Sequence, residues 1–271
     1  MTVVYATILL LVLLWAFAAW QVGYSQQSRI FPCDGAPFDA PYPQLERLGS
    51  QRFQVEREGQ SLRWHEIPAQ GNVENGSLIV FHGNRGGAAE RFDYARHLCP
   101  LGWRMVLAEF PGYAGGGGGL GEWHFLRNAL ALYDEIRERN VGKKLIVFGE
   151  SLGSGAATYC AYKRSPGALL LHTPYPSMTA VAKARFPMLP IYTMMKHPIE
   201  AQLWAPHVKC PVYIVHGSKD VTIPYRVGMR QAANFKQARV VTIEGAGHGN
   251  LREFDAPKYW GEMKRFIEGL A

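Results

Sequence analysis

Residues Lys144 to Ala157 read KLIVFGESLGSGAA, and within them a strand pattern gives way to a helix pattern around a single serine. Leu145, Ile146, Val147 and Phe148 form a continuous apolar run, as expected of a strand covered on both faces in a parallel sheet. Gly153, Ser154, Gly155, Ala156 and Ala157 then open a helix of small residues. A G-x-S-x-G turn at such a junction bends so sharply that its serine takes a strained backbone conformation, where side chains on the flanking positions would strike the adjoining strand or helix. Gly149 and Gly153 remove that collision, and Ser151 is the expected nucleophile.

On either side of this junction, apolar or alternating runs recur at Phe53–Val55, Leu62–Ile67, Leu78–Phe81, Arg104–Phe110, Ala168–His172, Val212–His216 and Val240–Ile243. From the third run onward helical patterns intervene, at Ala88–Leu98, Glu122–Asn140, Gly153–Lys163, Val227–Asn234 and Phe254–Leu270. Alternation of strand and helix predicts an α/β fold with a mostly parallel eight-stranded sheet flanked by helices, its first two strands forming an antiparallel hairpin edge. Residues 174–207 interrupt the alternation with prolines and with Met188, Leu189, Ile191, Tyr192, Met194 and Met195. Such a segment projects over the carboxyl ends of the strands, where open α/β sheets bind ligands. It either forms a short cap that touches an acyl chain or packs its methionines and aromatics onto the main core.

A serine hydroxyl is a weak nucleophile at neutral pH and needs a base, which in turn needs an acid to hold its tautomer. Beyond the Val212–His216 run comes HGSKDVTIP with Asp220, and beyond the Val240–Ile243 run comes EGAGHGN with His248. Ser151, Asp220 and His248 therefore follow the chain order of a serine, acid and base placed on successive strand-end loops. His82, His172 and His216 sit at strand ends and suit backbone hydrogen bonds, while Glu244 and Asp93 suit surface or turn roles. Glu150, beside the serine, suits pairing with a cation. For the oxyanion of a tetrahedral intermediate, the backbone N–H of Leu152 lies at the start of the following helix. A second donor is expected from the loop FHGNRGG, at the N–H of Asn84.

FHGNRGG, FPGYAGGGGG, GESLGSG, HGSKDVTIP and GAGHGNL, in this order and spacing, resemble the α/β-hydrolase superfamily, and with TPYPSM they look most like its Bem46/ABHD13-like branch. The resemblance covers about residues 52–267 and implies a serine hydrolase whose triad is Ser151, Asp220 and His248. It also implies that an N-terminal membrane anchor would not be out of place. Two features depart from the pattern. Gly115 to Gly119 is a longer glycine run than usual, read either as a mobile active-site loop or as a surface loop that tolerates insertion, and GHGN stands where GHND is more usual.

The 271 residues, 48% of them hydrophobic, suffice for one sizeable α/β core with a short appendage. The net charge of +7 comes without a dense basic block, which argues against nucleic-acid binding and fits a solvated surface or an anionic membrane. Cys33, Cys99, Cys160 and Cys210 are widely spaced, with no C-x-x-C pair to suggest zinc or redox chemistry, and Cys99 and Cys160 read as buried helix positions. From Val3 to Trp20 only Thr7 is polar. A helix of this length covers roughly 27 Å, near the thickness of a bilayer's hydrocarbon core, and predicts a single transmembrane anchor. Ala16-Phe17-Ala18 would also suit a cleaved signal peptide, although no Lys or Arg forms a basic leader. Arg29, Arg47 and Arg52 follow the span and none precedes it, pointing to a cytoplasmic catalytic domain.

The expected organisation is an anchor over 1–24, a connecting segment over 25–50 and a catalytic domain over 51–271. The expected activity is cleavage of carboxylic esters or thioesters through an acyl-enzyme, with a lipid-like or other small acyl substrate and neither metal nor organic cofactor. A serine peptidase, an amidase or an acyltransferase would use the same triad, and a silent membrane interaction module is the alternative outside catalysis.

Overall fold

The computed structural model describes residues 1–71 and 73–270. Eight strands run in the chain order β1 (Gln51–Arg57), β2 (Gln60–Ile67), β3 (Gly76–Phe81), β4 (Trp103–Glu109), β5 (Lys144–Glu150), β6 (Ala168–His172), β7 (Val212–Gly217) and β8 (Ala238–Ile243). Twelve α-helices accompany them: α1 (Thr2–Tyr24), α2 (Gln26–Ile30), α3 (Pro43–Arg47), α4 (Phe92–Leu98), α5 (Glu122–Arg139), α6 (Leu152–Arg164), α7 (Met178–Arg185), α8 (Ile191–Met194), α9 (Ala201–Trp204), α10 (Tyr225–Ala232), α11 (Leu251–Phe254) and α12 (Ala256–Glu268). The strands form one sheet in the order β1-β2-β4-β3-β5-β6-β7-β8. The β1–β2 and β2–β4 pairs are antiparallel and the others parallel, so the expected hairpin edge is present.

The continuous apolar runs have a simple cause: alternate residues of each inner strand face opposite layers. Ile79, Phe81, Val147, Leu169, Leu171 and Ile214 pack against Phe125, Ala129 and Leu132 of α5 and Ala156 and Cys160 of α6. Their neighbours Leu78, Val80, Ile146, Phe148, Leu170 and Val215 pack on the other side against Tyr94 and Leu98 of α4 and Tyr259, Met263 and Ile267 of α12. Cys160 is buried in α6, and Cys99 is buried on the short 3-10 turn that follows α4.

The proline-bearing stretch after α1 is tied into this body. Phe31 packs on Phe125, with ring centroids 5.7 Å apart, Phe38 lies under the Arg63 guanidinium, and Leu45 joins the opposite core layer. By contrast α1 buries none of its residues. Residues 174–207 fold as three short helices, α7 to α9, joined by irregular turns. Ile191, Ile199 and Ala201 are buried, whereas Met188 and Tyr192 are exposed.

Candidate active site

At the end of β5 the chain reverses into α6 at Ser151, whose φ of 51° and ψ of −115° are strained for a residue with a side chain. A Cβ on Gly149 would lie 2.6 Å from the Ser154 Cα, and one on Gly153 would fall on the carbonyls of Phe81 and His82. Both close approaches require glycine. The Ser151 N–H donates to the His172 carbonyl at 2.8 Å, which ties the turn to β6.

The loops after β7 and β8 converge on this turn. His248 Nε2 lies 3.0 Å from Ser151 Oγ, and His248 Nδ1 lies 2.7 Å from Asp220 Oδ2. Asp220 is held by its own loop, its Oδ1 accepting the N–H groups of Thr222 at 2.8 Å and Ile223 at 2.9 Å. Burial pushes the Asp220 carboxyl upward, but hydrogen bonds from His216 and His248 outweigh it and hold the group well below the usual range. The aspartate is thus ionised where the imidazole needs an acceptor. Sequence-predicted Ser151, Asp220 and His248 form one hydrogen-bonded run, although 97 residues separate its ends in the chain.

Asn84 and Leu152 border the cavity beside Ser151. Among the described residues neither backbone N–H is engaged by a protein acceptor, so both remain available to a bound oxyanion. Tyr113 Oη–H donates to the Asn84 carbonyl at 3.1 Å, and the Asn84 side chain donates to the Arg29 carbonyl at 3.3 Å. The Gly86 N–H in the same loop donates to Asp34 Oδ1 at 2.8 Å.

None of the rival residues reaches Ser151 Oγ, and His216 instead braces Asp220, its Nε2 3.3 Å from Asp220 Oδ2. His82 is hydrogen-bonded to Glu109 at 2.9 Å, and His216 Nε2–H donates to the Ile223 carbonyl at 2.9 Å. His172 lies behind the serine, its Nδ1 2.9 Å from Tyr259 Oη and 3.0 Å from Tyr94 Oη. Asp93 makes a surface pair with Arg96, and Glu244 is exposed. Glu150 takes the pairing role, accepting from Arg91 at 2.8 Å and from Tyr94 at 2.9 Å. Gly115–Gly119 does not border the main cavity: Gly116 lies against Arg63 and Gly119 against His124. It behaves as a surface loop. Asn250, two residues past the base, accepts the Gly247 N–H at 2.8 Å and closes the His248 loop.

A cavity of about 590 Å³ opens above Ser151 and His248. One wall is cap: Met178, Val181, Phe186, Ile191, Met194 and Met195. The other is the N-terminal region: Val22, Gln26, Ile30 and Pro32. Met178, Met194 and Met195 therefore serve the cavity and Met188 faces outward, while Leu189, Ile199 and Ala201 serve the core. Sequence reading missed Asp34, Arg29 and Gln26, because their partners lie 52 or more residues away and no local pattern announces them.

This geometry has parallels among known proteins. A family model described as TAP-like protein matches residues 193–256, which carry Asp220 and His248. An uncharacterized protein of Mycobacterium tuberculosis is 26% identical over 256 residues, covering 92% of this chain and 89% of that one. The solved structure of Est1E from Butyrivibrio proteoclasticus superposes with a TM-score of 0.66 at 19% identity, covering 81% of this chain and 98% of that one. The chain has the α/β-hydrolase fold. Lysophosphatidylserine lipase ABHD12 of Mus musculus is 28% identical over 204 residues, covering 62% of this chain and 51% of that protein. The chain thus spans about half the length of the ABHD12 lipases it matches. The similarities reach the superfamily and stop short of the Bem46/ABHD13-like branch.

Proposed function

We propose that the protein is a membrane-anchored serine hydrolase that cleaves carboxylic esters or thioesters of apolar acyl groups. The observation that carries this reading is the continuous Asp220–His248–Ser151 hydrogen-bonded run at the floor of an apolar cavity. Ser151 Oγ attacks the acyl carbon as its proton passes to His248 Nε2, and Asp220 accepts the Nδ1–H and stabilises the imidazolium. The oxyanion that forms is met by the N–H groups of Asn84 and Leu152, the latter at the positive end of α6. Collapse expels the alcohol or thiol, which takes the proton from His248. A water then gives a proton to His248 and attacks the acyl-serine, releasing the acid and restoring the serine.

The cavity walls favour an aliphatic acyl group over a peptide, since the side chains from α7, α8 and the end of α1 are largely hydrocarbon. Similarity to lysophosphatidylserine lipases supports the same class of substrate. Helix α1, 23 residues long and without a buried residue, supports the anchor in this reading, and Arg29, Arg47 and Arg52 after it favour a cytoplasmic catalytic domain. Amide cleavage and acyl transfer share the same first step, so substrate profiling separates them.

A fluorophosphonate probe tests the assignment, because it reacts only with a serine activated as described. The full chain in detergent is expected to label, and Ser151→Ala to lose the label while keeping its fold. An unlabelled folded wild type, as for a silent interaction module, or undiminished labelling of Ser151→Ala, refutes the reading. Turnover is expected to rise with acyl length from acetyl to long-chain esters, and strict acetyl preference refutes the lipid-like substrate.

A further inference from the structure

Helix α1 does not leave the catalytic body at its own C-terminus. The indole Nε1–H of Trp15, nine residues before the end of α1, donates to the Met188 carbonyl at 3.0 Å. Further along, Gln26 clasps the cap twice, its Nε2–H donating to the Met194 carbonyl at 2.7 Å and its Oε1 accepting the Lys196 N–H at 2.8 Å. Gly23 faces the Met194 side chain. The last third of α1 therefore runs along the outside of the cap.

This contact sets a depth. If the apolar run Val3–Trp20 fills the hydrocarbon core, Trp15 lies five residues, or about 7 Å, inside the boundary at Trp20. The Met188 carbonyl lies at the same level. Were the cap kept wholly in water, only Thr2 to Leu14 would remain, about 20 Å of helix against a core of about 30 Å. The cap is chemically suited to immersion. Met188 and Tyr192 are exposed on it, at 81% and 75%, and Lys183 Nζ donates to the carbonyls of Pro187 and Leu189, polar groups that lipid could not satisfy. The indole N–H, which also needs an acceptor in hydrocarbon, has one in Met188.

We propose that the cap segment 186–195 is inserted into the leaflet that α1 enters, and that the cavity opens into this leaflet between Val22 of α1 and Met194 and Ile191 of the cap. The partner is the lipid leaflet itself. A single-chain acyl lipid then slides from the bilayer to Ser151 without crossing water. The inference rests on the membrane-anchor reading above.

Spin-label accessibility on the full chain tests it, in a Cys33→Ser, Cys210→Ser background reconstituted into vesicles of phosphatidylcholine with phosphatidylglycerol. Labels are placed singly at Met188→Cys, at Leu10→Cys in the middle of α1, and at Val141→Cys, an exposed site in the loop before β5. Met188 and Leu10 are expected to favour oxygen over a water-soluble nickel reagent, and Val141 to favour nickel. If Leu10 reports lipid while Met188 matches Val141, the inserted cap is overturned and the anchor stands. If Leu10 also reports water, both are overturned. In parallel, Met188→Glu with Tyr192→Glu is expected to slow hydrolysis of a vesicle-borne long-chain ester at least about tenfold, because each charge opposes insertion. Hydrolysis of a soluble butyrate ester should be unchanged. Equal effects on both substrates, or none on either, also overturn the proposal.

Discussion

Ser151 stands between two carboxylates that are alike in almost every respect except what their partners can touch. Asp220, in front, is buried and Glu150, behind, is half-buried, and each is kept ionised against the upward push of burial. For Asp220 the counterweight is hydrogen bonding from His216 and His248. For Glu150 it is the charge of Arg91 and then that of Arg252, with a hydrogen bond from Tyr94. His248 continues from its carboxylate to the serine oxygen at 3.0 Å, whereas Arg91 continues to the Gly87 carbonyl and Tyr94 to His172, neither of them reaching Ser151 Oγ. An ionised carboxylate beside a nucleophile is therefore not enough to make a catalytic acid. The mobile proton must have a path to the serine.

The comparison breaks first, and most visibly, at Asp220. Asp220→Asn removes the charge that would stabilise the imidazolium and offers His248 an amide that selects the wrong tautomer, so kcat on a soluble ester should fall by roughly 10³ to 10⁴, or about 4–5.5 kcal/mol of barrier. Circular dichroism should report an intact fold. A loss smaller than tenfold would mean that some other group orients His248. Glu150→Gln should do the reverse. It leaves Arg91, whose side chain is only 9% exposed, without its charged partner, and should lower stability by about 3 kcal/mol in thermal melts while kcat changes less than tenfold. Should Glu150→Gln instead abolish turnover in a protein of normal stability, the two carboxylates share a catalytic role and the distinction fails.

The same contrast explains what could be read from the chain before any coordinates. The sheet was legible because both of its faces are buried, which turns each inner strand into an unbroken apolar run such as Leu145–Phe148. The hydrogen-bonded run of the proposed triad was legible because each member sits in a short loop directly after a strand, where chain order and loop order coincide. Glu150 was legible as a paired residue but not the identity of its partners, since Arg91 and Tyr94 lie 59 and 56 residues away in the chain. The segment 25–50 was the least legible. Its prolines and sparse hydrophobics read as a connector, yet Phe31, Phe38 and Leu45 each fill a separate place in the body, and its polar groups brace the Asn84 loop and the cap. Isolated anchors of this kind carry no periodicity, so their burial follows from tertiary contacts alone.

The smallest effect separates two histidines, as the larger ones separate two carboxylates. His248 has a side chain 23% exposed and faces the cavity beside Ser151. His172, behind the serine, is buried, and burial pushes its pKa down to about 3 despite the opposing pull of Glu150. His65, buried against Phe38 and Tyr42, is likewise pushed down by burial, to about 4. In the unfolded chain both titrate near 6.5, so between that pH and their folded values the unfolded state holds more protons, and stability rises with pH. Their contribution is complete above about pH 6.5 and is lost as pH falls toward 4 and then 3. At pH 5 each should cost on the order of 2 kcal/mol relative to pH 8. Thermal melts of the full chain in detergent at the two pH values should show this loss, and His172→Asn should remove about half of the pH dependence while leaving His65 to supply the rest. If the wild type melts equally at both pH values, or if His172→Asn retains the full dependence, His172 is not held neutral, and the charge balance around Glu150 must include a protonated imidazole in place of the Tyr94 and Tyr259 hydroxyl contacts.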